Sequence, residues 1–144
     1  MKKIFALLLC FVMLFAFAGC GEVSEGDVVK VPVELVKNPG MAAAQLIIEY
    51  DTDKLTFLGY NNGTLFESCK VVETGGKISA VLVKDFSVSM DDVTAKGTLL
   101  ELKLQVKKGA GKGTVKFKVS ESQFVNTNEQ YVKATVEVAN IKIK

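Results

Sequence analysis

The alternation of apolar and polar residues from Thr98 to Lys107 is the feature that most constrains the fold of this chain. Leu100, Leu102, Leu104 and Val106 alternate there with Glu101, Lys103, Gln105 and Lys107. A period of two is the pattern of a β-strand with one buried face, whereas a helix would place these four side chains on two opposite sides. The stretch therefore predicts a strand, even though leucine, lysine and glutamate are good helix formers.

Strand signals recur along the chain, and turn signals separate them at a spacing of roughly 8–12 residues. Asn38–Gly40, Asn61–Gly63 and Gly109–Gly113 are typical turns because they are rich in glycine, asparagine and proline. No segment shows a convincing helical period, and no repeat or second domain is visible. The sequence therefore predicts a single all-β sandwich of about eight or nine strands over residues 27–144.

The individual strand predictions follow from these signals. Strands are predicted at 27–36, 42–50, 55–60, 66–74, 77–84, 98–107, 114–120 and 133–143, with irregular connections at 85–96 and 120–130. Pro32 predicts an edge or a bulge in the first strand, because proline cannot donate to a ladder. In the last strand Val136 and Val138 differ in parity from Ile141 and Ile143, so we expect a β-bulge near Ala139–Asn140 that keeps all four on the core side.

The stretch from Met41 to Ile48 is nearly all apolar and does not alternate. A strand with one wet face would alternate, so this pattern indicates that both faces are covered. One face belongs to the core of the sandwich. The functional question is therefore which molecule covers the other face.

The N-terminal segment predicts the compartment. Lys2 and Lys3 precede the uncharged apolar run Ile4–Phe17, which is short for a membrane span of roughly 20 residues and fits a signal peptide. The run ends in Ala-Gly-Cys, which resembles the lipobox of bacterial lipoproteins. We therefore expect a signal peptide at 1–19, lipidation of Cys20, a short linker at 20–26 and a secreted protein anchored at the outer face of the cytoplasmic membrane. Plain secretion with cleavage nearby is the alternative.

The composition argues against an enzyme. The chain has no histidine, so Ser-His-Asp and Cys-His machinery and the usual zinc sites cannot be built. It also has no tryptophan, the commonest flat platform for stacking on a sugar ring. The formal net charge of +2 comes from Lys2 and Lys3 in the signal segment. Without them the net charge is near zero, so the chain lacks the excess of positive charge that is typical of a nucleic-acid-binding domain. Cys69 would be the one cysteine left in the domain and is expected to be a buried small hydrophobe. These features predict a monomeric binding protein without catalytic residues, metal or cofactor.

The central stretch resembles the cohesin domain. The family pattern is a Val-Pro-Val strand, a glycine-led strand that ends in Tyr-Asp, and a leucine soon after; Val31–Val33, Gly40, Tyr50–Asp51 and Leu55 fill these positions. Cohesins are nine-stranded jelly-roll sandwiches that bind dockerins, small calcium-loaded helical modules, in cell-surface cellulosomes. The resemblance implies a jelly-roll β-sandwich and a dockerin-bearing secreted partner, with calcium on the partner rather than on this chain.

The resemblance also implies a binding face, made by the family's strands eight, three, six and five. These fall here at 114–120, 42–50, 77–84 and 66–74. The implied partner-binding residues are Ala43, Gln45, Ile47, Glu49, Ala80, Leu82, Asp85, Lys116 and Lys118. The orientation of 77–84 is taken from the family, because both faces of that segment are equally apolar. An Asn-x-Asp pair of many cohesins is replaced here by Ala43 and Gln45.

Two other functions remain open at this stage. Jelly rolls often bind carbohydrate, and Tyr50, Tyr60 and Tyr131 are the aromatic rings that could stack on a sugar. A structural or adhesive lipoprotein could instead use the fold for another protein partner. Asp51 and Asp53 are interpreted as turn residues rather than as a calcium loop, because no further carboxylate follows at the required spacing.

Overall fold

The computed structural model describes residues 21–144. The predicted signal peptide and Cys20 lie outside the described residues. Within residues 21–144 the chain forms twelve β-strands: β1 Glu22–Val23, β2 Val28–Lys37, β3 Ala43–Glu49, β4 Leu55–Asn62, β5 Ser68–Thr74, β6 Lys77–Val83, β7 Gly97–Val106, β8 Gly113–Val115, β9 Lys118–Val125, β10 Tyr131–Val132, β11 Thr135–Val138 and β12 Ile141–Ile143. That part of the chain contains no helix long and apolar enough to cross a membrane.

Two antiparallel sheets enclose the core. The five-stranded sheet has the order β10-β9-β3-β6-β5, and the four-stranded sheet has the order β11-β2-β7-β4. A small third sheet, β1-β12-β8, lies at one end, where β1 pairs with β12 in parallel. Alternate residues of the facing strands fill the space between the two large sheets. The predicted all-β jelly-roll sandwich is confirmed.

The pair β2–β7 shows why the alternating segments form strands. Every second residue of β7 from Leu100 to Val106 is buried, and so is every second residue of β2 from Val29 to Leu35. The strand predicted from the alternation is therefore confirmed. Pro32 lies one residue beyond Val33, where the pairing of β2 with β11 stops, so its missing N–H removes no bond from that ladder.

The C-terminal segment was predicted as one strand with a bulge, and the structure corrects this. β11 pairs with β2 in the four-stranded sheet, and β12 pairs with β8 in the small sheet. Ala139 and Asn140 are the point where the chain changes sheets. All four apolar side chains pack against the core as expected, but they do so because the chain bends from one sheet into another.

The strand predicted at 114–120 is also divided. β8 ends at Val115 and belongs to the small sheet, while β9 begins at Lys118 and pairs with β3. Residues 120–125, predicted as irregular, continue β9. A shift of register opposite Ile47 and Ile48 leaves Ser120 without a partner residue on β3, and its hydroxyl donates to the carbonyl of Ile47 at 3.3 Å.

Candidate functional site

β3 lies at the centre of the five-stranded sheet, and its two faces have different environments. Ala44, Leu46 and Ile48 are buried in the core. The other set of side chains points out of the sandwich: Ala43, Gln45, Ile47 and Glu49. The predicted outward orientation of these four residues is therefore confirmed, and their role in binding a partner stays a prediction.

The expected orientation of β6 is wrong. Leu46 lies opposite Ala80 and Ala44 lies opposite Leu82, and directly opposed residues of antiparallel strands share a face. Ala80 and Leu82 consequently lie in the core with 0% exposure. The outward residues of β6 are instead Lys77, Ser79, Val81 and Val83. The polar Lys77 and Ser79 share their parity with Val81, and this signal indicates the correct face.

The outer face of the five-stranded sheet, called the outer face below, is arranged in rows across β9, β3, β6 and β5. The rows are Val125-Ala43-Val83-Ser68, Gln123-Gln45-Val81-Lys70, Glu121-Ile47-Ser79-Val72 and Lys118-Glu49-Lys77-Thr74. Val81 is 44% exposed and Val72 is 64% exposed, although both are apolar. The middle of the face is therefore uncharged on β3 and β6, and the charged residues lie around it.

A shallow depression lies beside β3 on the outer face. Its volume is about 170 Å³, and it is lined by Ala43, Ala44, Gln45, Val81, Gln123, Val125 and Tyr131. Tyr131 lies opposite Val125 on the short strand β10 and is 77% exposed. An aromatic ring beside a depression of this size can pack against a side chain that a partner inserts there.

Four of the predicted partner-binding residues are charged, and the five-stranded sheet contains two of them, Glu49 and Lys118. Lys118 lies opposite Glu49, and the Nζ of Lys77 is 3.7 Å from Oε1 of Glu49. Lys116 lies in the break between β8 and β9, outside the five-stranded sheet, because the chain leaves the small sheet there.

Asp85 follows β6 at the other end of the face. Its carboxylate accepts hydrogen bonds from the hydroxyl and the amide of Ser87, which lower the pKa of Asp85. The following loop exposes Phe86, Val88 and Met90. The buried ammonium of Lys84 holds this loop, since it donates to the carbonyl of Asp91 and lies 5.6 Å from the centre of the Phe86 ring.

The hydroxyl groups of the other two tyrosines, Tyr50 and Tyr60, form hydrogen bonds within the domain. The hydroxyl of Tyr50 donates to Glu73 at 2.8 Å, and burial together with this carboxylate raises the pKa of Tyr50 to about 12. The hydroxyl of Tyr60 donates to the carbonyl of Cys69 at 3.1 Å. Only Tyr131 is exposed, so the three rings do not form a platform for a sugar chain.

Cys69 lies in the core, as predicted. Burial raises the pKa of its thiol, because the thiolate would lose its hydration there. Within residues 21–144 no cluster of three potential ligands that could hold a metal ion is present.

An exposed sheet face that is uncharged at its centre and charged at its edges is typical of protein-binding domains. The family model for the cohesin domain matches residues 19–144. The chain therefore belongs to the cohesin family, whose domains are non-catalytic protein-binding modules without cofactors.

Solved structures share the fold. The sixth cohesin of scaffoldin B from Acetivibrio cellulolyticus, in complex with a mutant dockerin, is 20% identical with a TM-score of 0.75, and the match covers 85% of this chain and 93% of that chain. The cohesin CaCohA2 from Clostridium acetobutylicum is 24% identical, with a TM-score of 0.70 and coverages of 86% and 87%. A non-cellulosomal cohesin from the archaeon Archaeoglobus fulgidus is 16% identical, with a TM-score of 0.68 and coverages of 86% and 87%. No curated protein matches the chain.

Proposed function

We propose that this cohesin is anchored by lipid at Cys20 and binds a dockerin-bearing secreted protein through the outer face. The observation that carries the proposal is the exposure of Val72 and Val81 on a sheet whose central strand, β3, also turns the apolar side chains of Ala43 and Ile47 outward. The relative from Acetivibrio cellulolyticus is bound to a dockerin, which supports this class of partner.

The outer face offers the elements of a protein interface. Ile47, Val72 and Val81 provide apolar area that a partner can cover, and the depression beside Tyr131 can take one protruding side chain. Gln45 and Gln123 lie opposite each other and supply neutral amides. Polar recognition at the centre of the face would therefore depend on these two amides and on the hydroxyl of Ser79, because Ala43 and Gln45 replace the Asn-x-Asp pair of many cohesins.

The proposed anchor places the domain close to the membrane. Glu22 already belongs to β1, so one residue separates Cys20 from the first strand. A lipid at Cys20 would leave the domain little room to move away, because each residue of extended chain spans about 3.5 Å. The outer face would then present its binding surface beside the bilayer, on the cell surface.

Calcium-dependent capture tests the dockerin proposal. Immobilised Gly21–Lys144 and its Val81→Asp variant are incubated with the secreted proteins of the source cells, with and without a calcium chelator. We expect the wild-type domain to recover a dockerin-bearing protein only when calcium is present, because the calcium belongs to the partner. Recovery that is independent of calcium, or equal for both proteins, would contradict the proposal.

A partner without a dockerin is the second candidate, and the non-cellulosomal archaeal relative favours it. The same capture separates the two, because a partner recovered in the presence of chelator and lost with Val81→Asp would use the same face without a calcium-loaded module. The carbohydrate function lacks such support, since Tyr50 and Tyr60 are engaged inside the domain.

A further inference from the structure

The charges of the chain are unevenly distributed around the turn between β7 and β8. Residues 102–120 contain six lysines and no acidic residue: Lys103, Lys107, Lys108, Lys112, Lys116 and Lys118. Three of them, Lys107, Lys108 and Lys112, lie in the glycine-rich turn itself and are exposed. None of these three forms an ion pair among the described residues. The turn 107–112, called the basic turn below, is therefore a free cationic surface.

The basic turn lies at the end of the domain where the chain enters from Cys20. Val23 on β1 lies opposite Ile143 on β12, and Ile143 lies opposite Gly113 at the start of β8. The carboxylate of Glu25 accepts a hydrogen bond from the amide of Gly111 at 3.2 Å, which ties the entering segment directly to the turn. Four residues separate Cys20 from Glu25, so these two residues can be at most about 18 Å apart.

The acidic residues next to the basic turn are largely engaged. Glu22 pairs with Lys142 at 2.6 Å. Glu25 accepts from the amides of the turn, which lower the pKa of Glu25, and it therefore partly offsets the charge of the turn. Asp51 and Asp53 lie in the turn between β3 and β4, where Asp51 accepts from the amide of Asp53 at 2.9 Å. Within residues 21–144 the lysines of the basic turn, by contrast, form no ion pair.

We propose that the basic turn contacts the anionic headgroups of the membrane that holds Cys20. The proposal rests on the proposed lipid anchor, which keeps these lysines within reach of the surface potential of the bilayer. Lysine side chains close to an anionic surface each add to the attraction, and together they would fix the orientation of the domain. The loop with Phe86, Val88 and Met90 lies at the opposite end of the sandwich and would point away from the bilayer.

The orientation is tested on a domain with a synthetic anchor. The thiol of Cys20 in the chain Cys20–Lys144 is coupled to a maleimide phospholipid in vesicles, while Cys69 is buried and stays unmodified. Acetylation of each lysine is then compared by mass spectrometry between phosphatidylcholine vesicles and vesicles that also contain phosphatidylglycerol. We expect acetylation of Lys107, Lys108 and Lys112 to fall about threefold or more on the anionic vesicles. The lysines at the opposite end are the internal control and should not change: Lys37, Lys96 and Lys133.

A charge reversal supplies the matched variant. The chain Cys20–Lys144 with Cys20→Ser has no anchor, and its three lysines should give weak co-sedimentation with phosphatidylglycerol vesicles at low salt. Changing Lys107, Lys108 and Lys112 together to glutamate should abolish this co-sedimentation, and so should high salt. The same triple change at Lys37, Lys96 and Lys133 should leave it intact. Equal acetylation of the basic turn on both kinds of vesicle would overturn the proposal. Because the anchor in the acetylation test is synthetic, its result does not depend on acylation in the cell, which the N-terminus of the native protein tests separately.

Discussion

Gln45 on β3 lies directly opposite Val81 on β6, and both side chains point out of the five-stranded sheet. Gln123 lies on the other side of Gln45, and Lys70 lies on the other side of Val81. This row crosses the middle of the outer face with two amides and one exposed valine before it reaches a charge. A partner that covers the row must fill the space around the valine and satisfy the amides.

Val81→Asp should therefore separate binding from stability. The change would bury an unpaired carboxylate under the partner, and we expect the affinity to fall at least tenfold, which corresponds to about 1.4 kcal/mol. The unfolding midpoint should change little, because Val81 is 44% exposed in the free domain. Titration calorimetry with the captured partner and thermal unfolding measure the two effects.

Leu82→Ala is the control for this prediction. Leu82 is next to Val81 in the chain but lies in the core, so its truncation should lower the free energy of unfolding by about 2–5 kcal/mol and leave the affinity of the folded protein unchanged. The outer face would be wrongly assigned if Val81→Asp left the affinity intact.

The two central strands show how far the sequence predicts this face. The orientation of β3 follows from the resemblance and from the larger Leu46 and Ile48 on its core side. The apolar residues alone do not give the orientation of β6, because Val81 and Val83 on its outward face are as apolar as Ile78, Ala80 and Leu82 on its core face; only the polar Lys77 and Ser79 mark the outward face. The register with β3 decides it, since Leu46 and Ala80 must share the core side.

Tyr131→Ala should weaken partner binding without affecting the fold. Its ring is exposed on the rim of the depression beside β3, and removal of an aromatic contact at an interface commonly costs more than 1 kcal/mol, so we expect a loss of about fivefold or more. Tyr60→Phe is the matched control, because it removes an internal hydrogen bond to the carbonyl of Cys69 and should act on stability alone. Neither change should create or abolish cellulose binding, since the wild-type domain is expected to show none.

The Tyr50–Glu73 pair should make the stability sensitive to alkaline pH. The pKa of Tyr50 is raised from its ordinary value of 10.0 to about 12, because burial and the neighbouring carboxylate disfavour the phenolate. The folded state therefore keeps its proton where the unfolded chain loses it. This contribution is fully present below pH 10 and is lost as the pH rises through about 12.

Denaturation at several pH values measures this effect against Tyr50→Phe. We expect the free energy of unfolding of the wild type to fall more steeply between pH 10 and pH 12 than that of the variant, which has no phenol at this position. Parallel curves for the two proteins would show that the phenol does not contribute.

Cys20→Ser should release the protein from the membrane or leave an uncleaved precursor. Acyl chains bury CH₂ groups in the bilayer at about 0.8 kcal/mol each, so a doubly acylated protein stays in the detergent phase. Cys69→Ser is the control and should remain anchored, because Cys69 lies in the core. A mature N-terminus at another residue, found by mass spectrometry, would exclude the lipid.

β9, beside β3 on the outer face, is a strand that the local sequence did not predict in full. Residues 120–123 are Ser-Glu-Ser-Gln, which carry no apolar alternation and were predicted as irregular. They form a strand because Glu121, Ser122 and Gln123 pair with β3, while Ser120 is the unpaired residue at the shift of register. The local sequence does not reveal hydrogen bonds that a strand forms with a distant part of the chain. For that reason the sequence did not predict Gln123 as a residue of the outer face.

Lys118→Glu should act on the rate of association. Lys118 lies at the edge of the outer face, opposite Glu49, and within the four rows of the face the lysines outnumber the acidic residues: Lys70, Lys77 and Lys118 against Glu49 and Glu121. We therefore expect a partner with an acidic surface, whose encounter with the face is accelerated by this positive charge. Reversing the charge at the edge should slow association about threefold to tenfold at low salt and leave dissociation nearly unchanged.

Salt and a second lysine distinguish this effect from a change in contacts. The difference between wild type and Lys118→Glu should shrink as the ionic strength rises, because the Debye length falls from about 30 Å at 0.01 M to about 8 Å at 0.15 M. Lys103→Glu makes the same change of charge on the outside of the four-stranded sheet, between Lys30 and Gly59 across the neighbouring strands, and should alter association far less. If Lys118→Glu acted mainly on dissociation and kept its effect at high salt, Lys118 would be a buried contact of the interface rather than a charge at its edge.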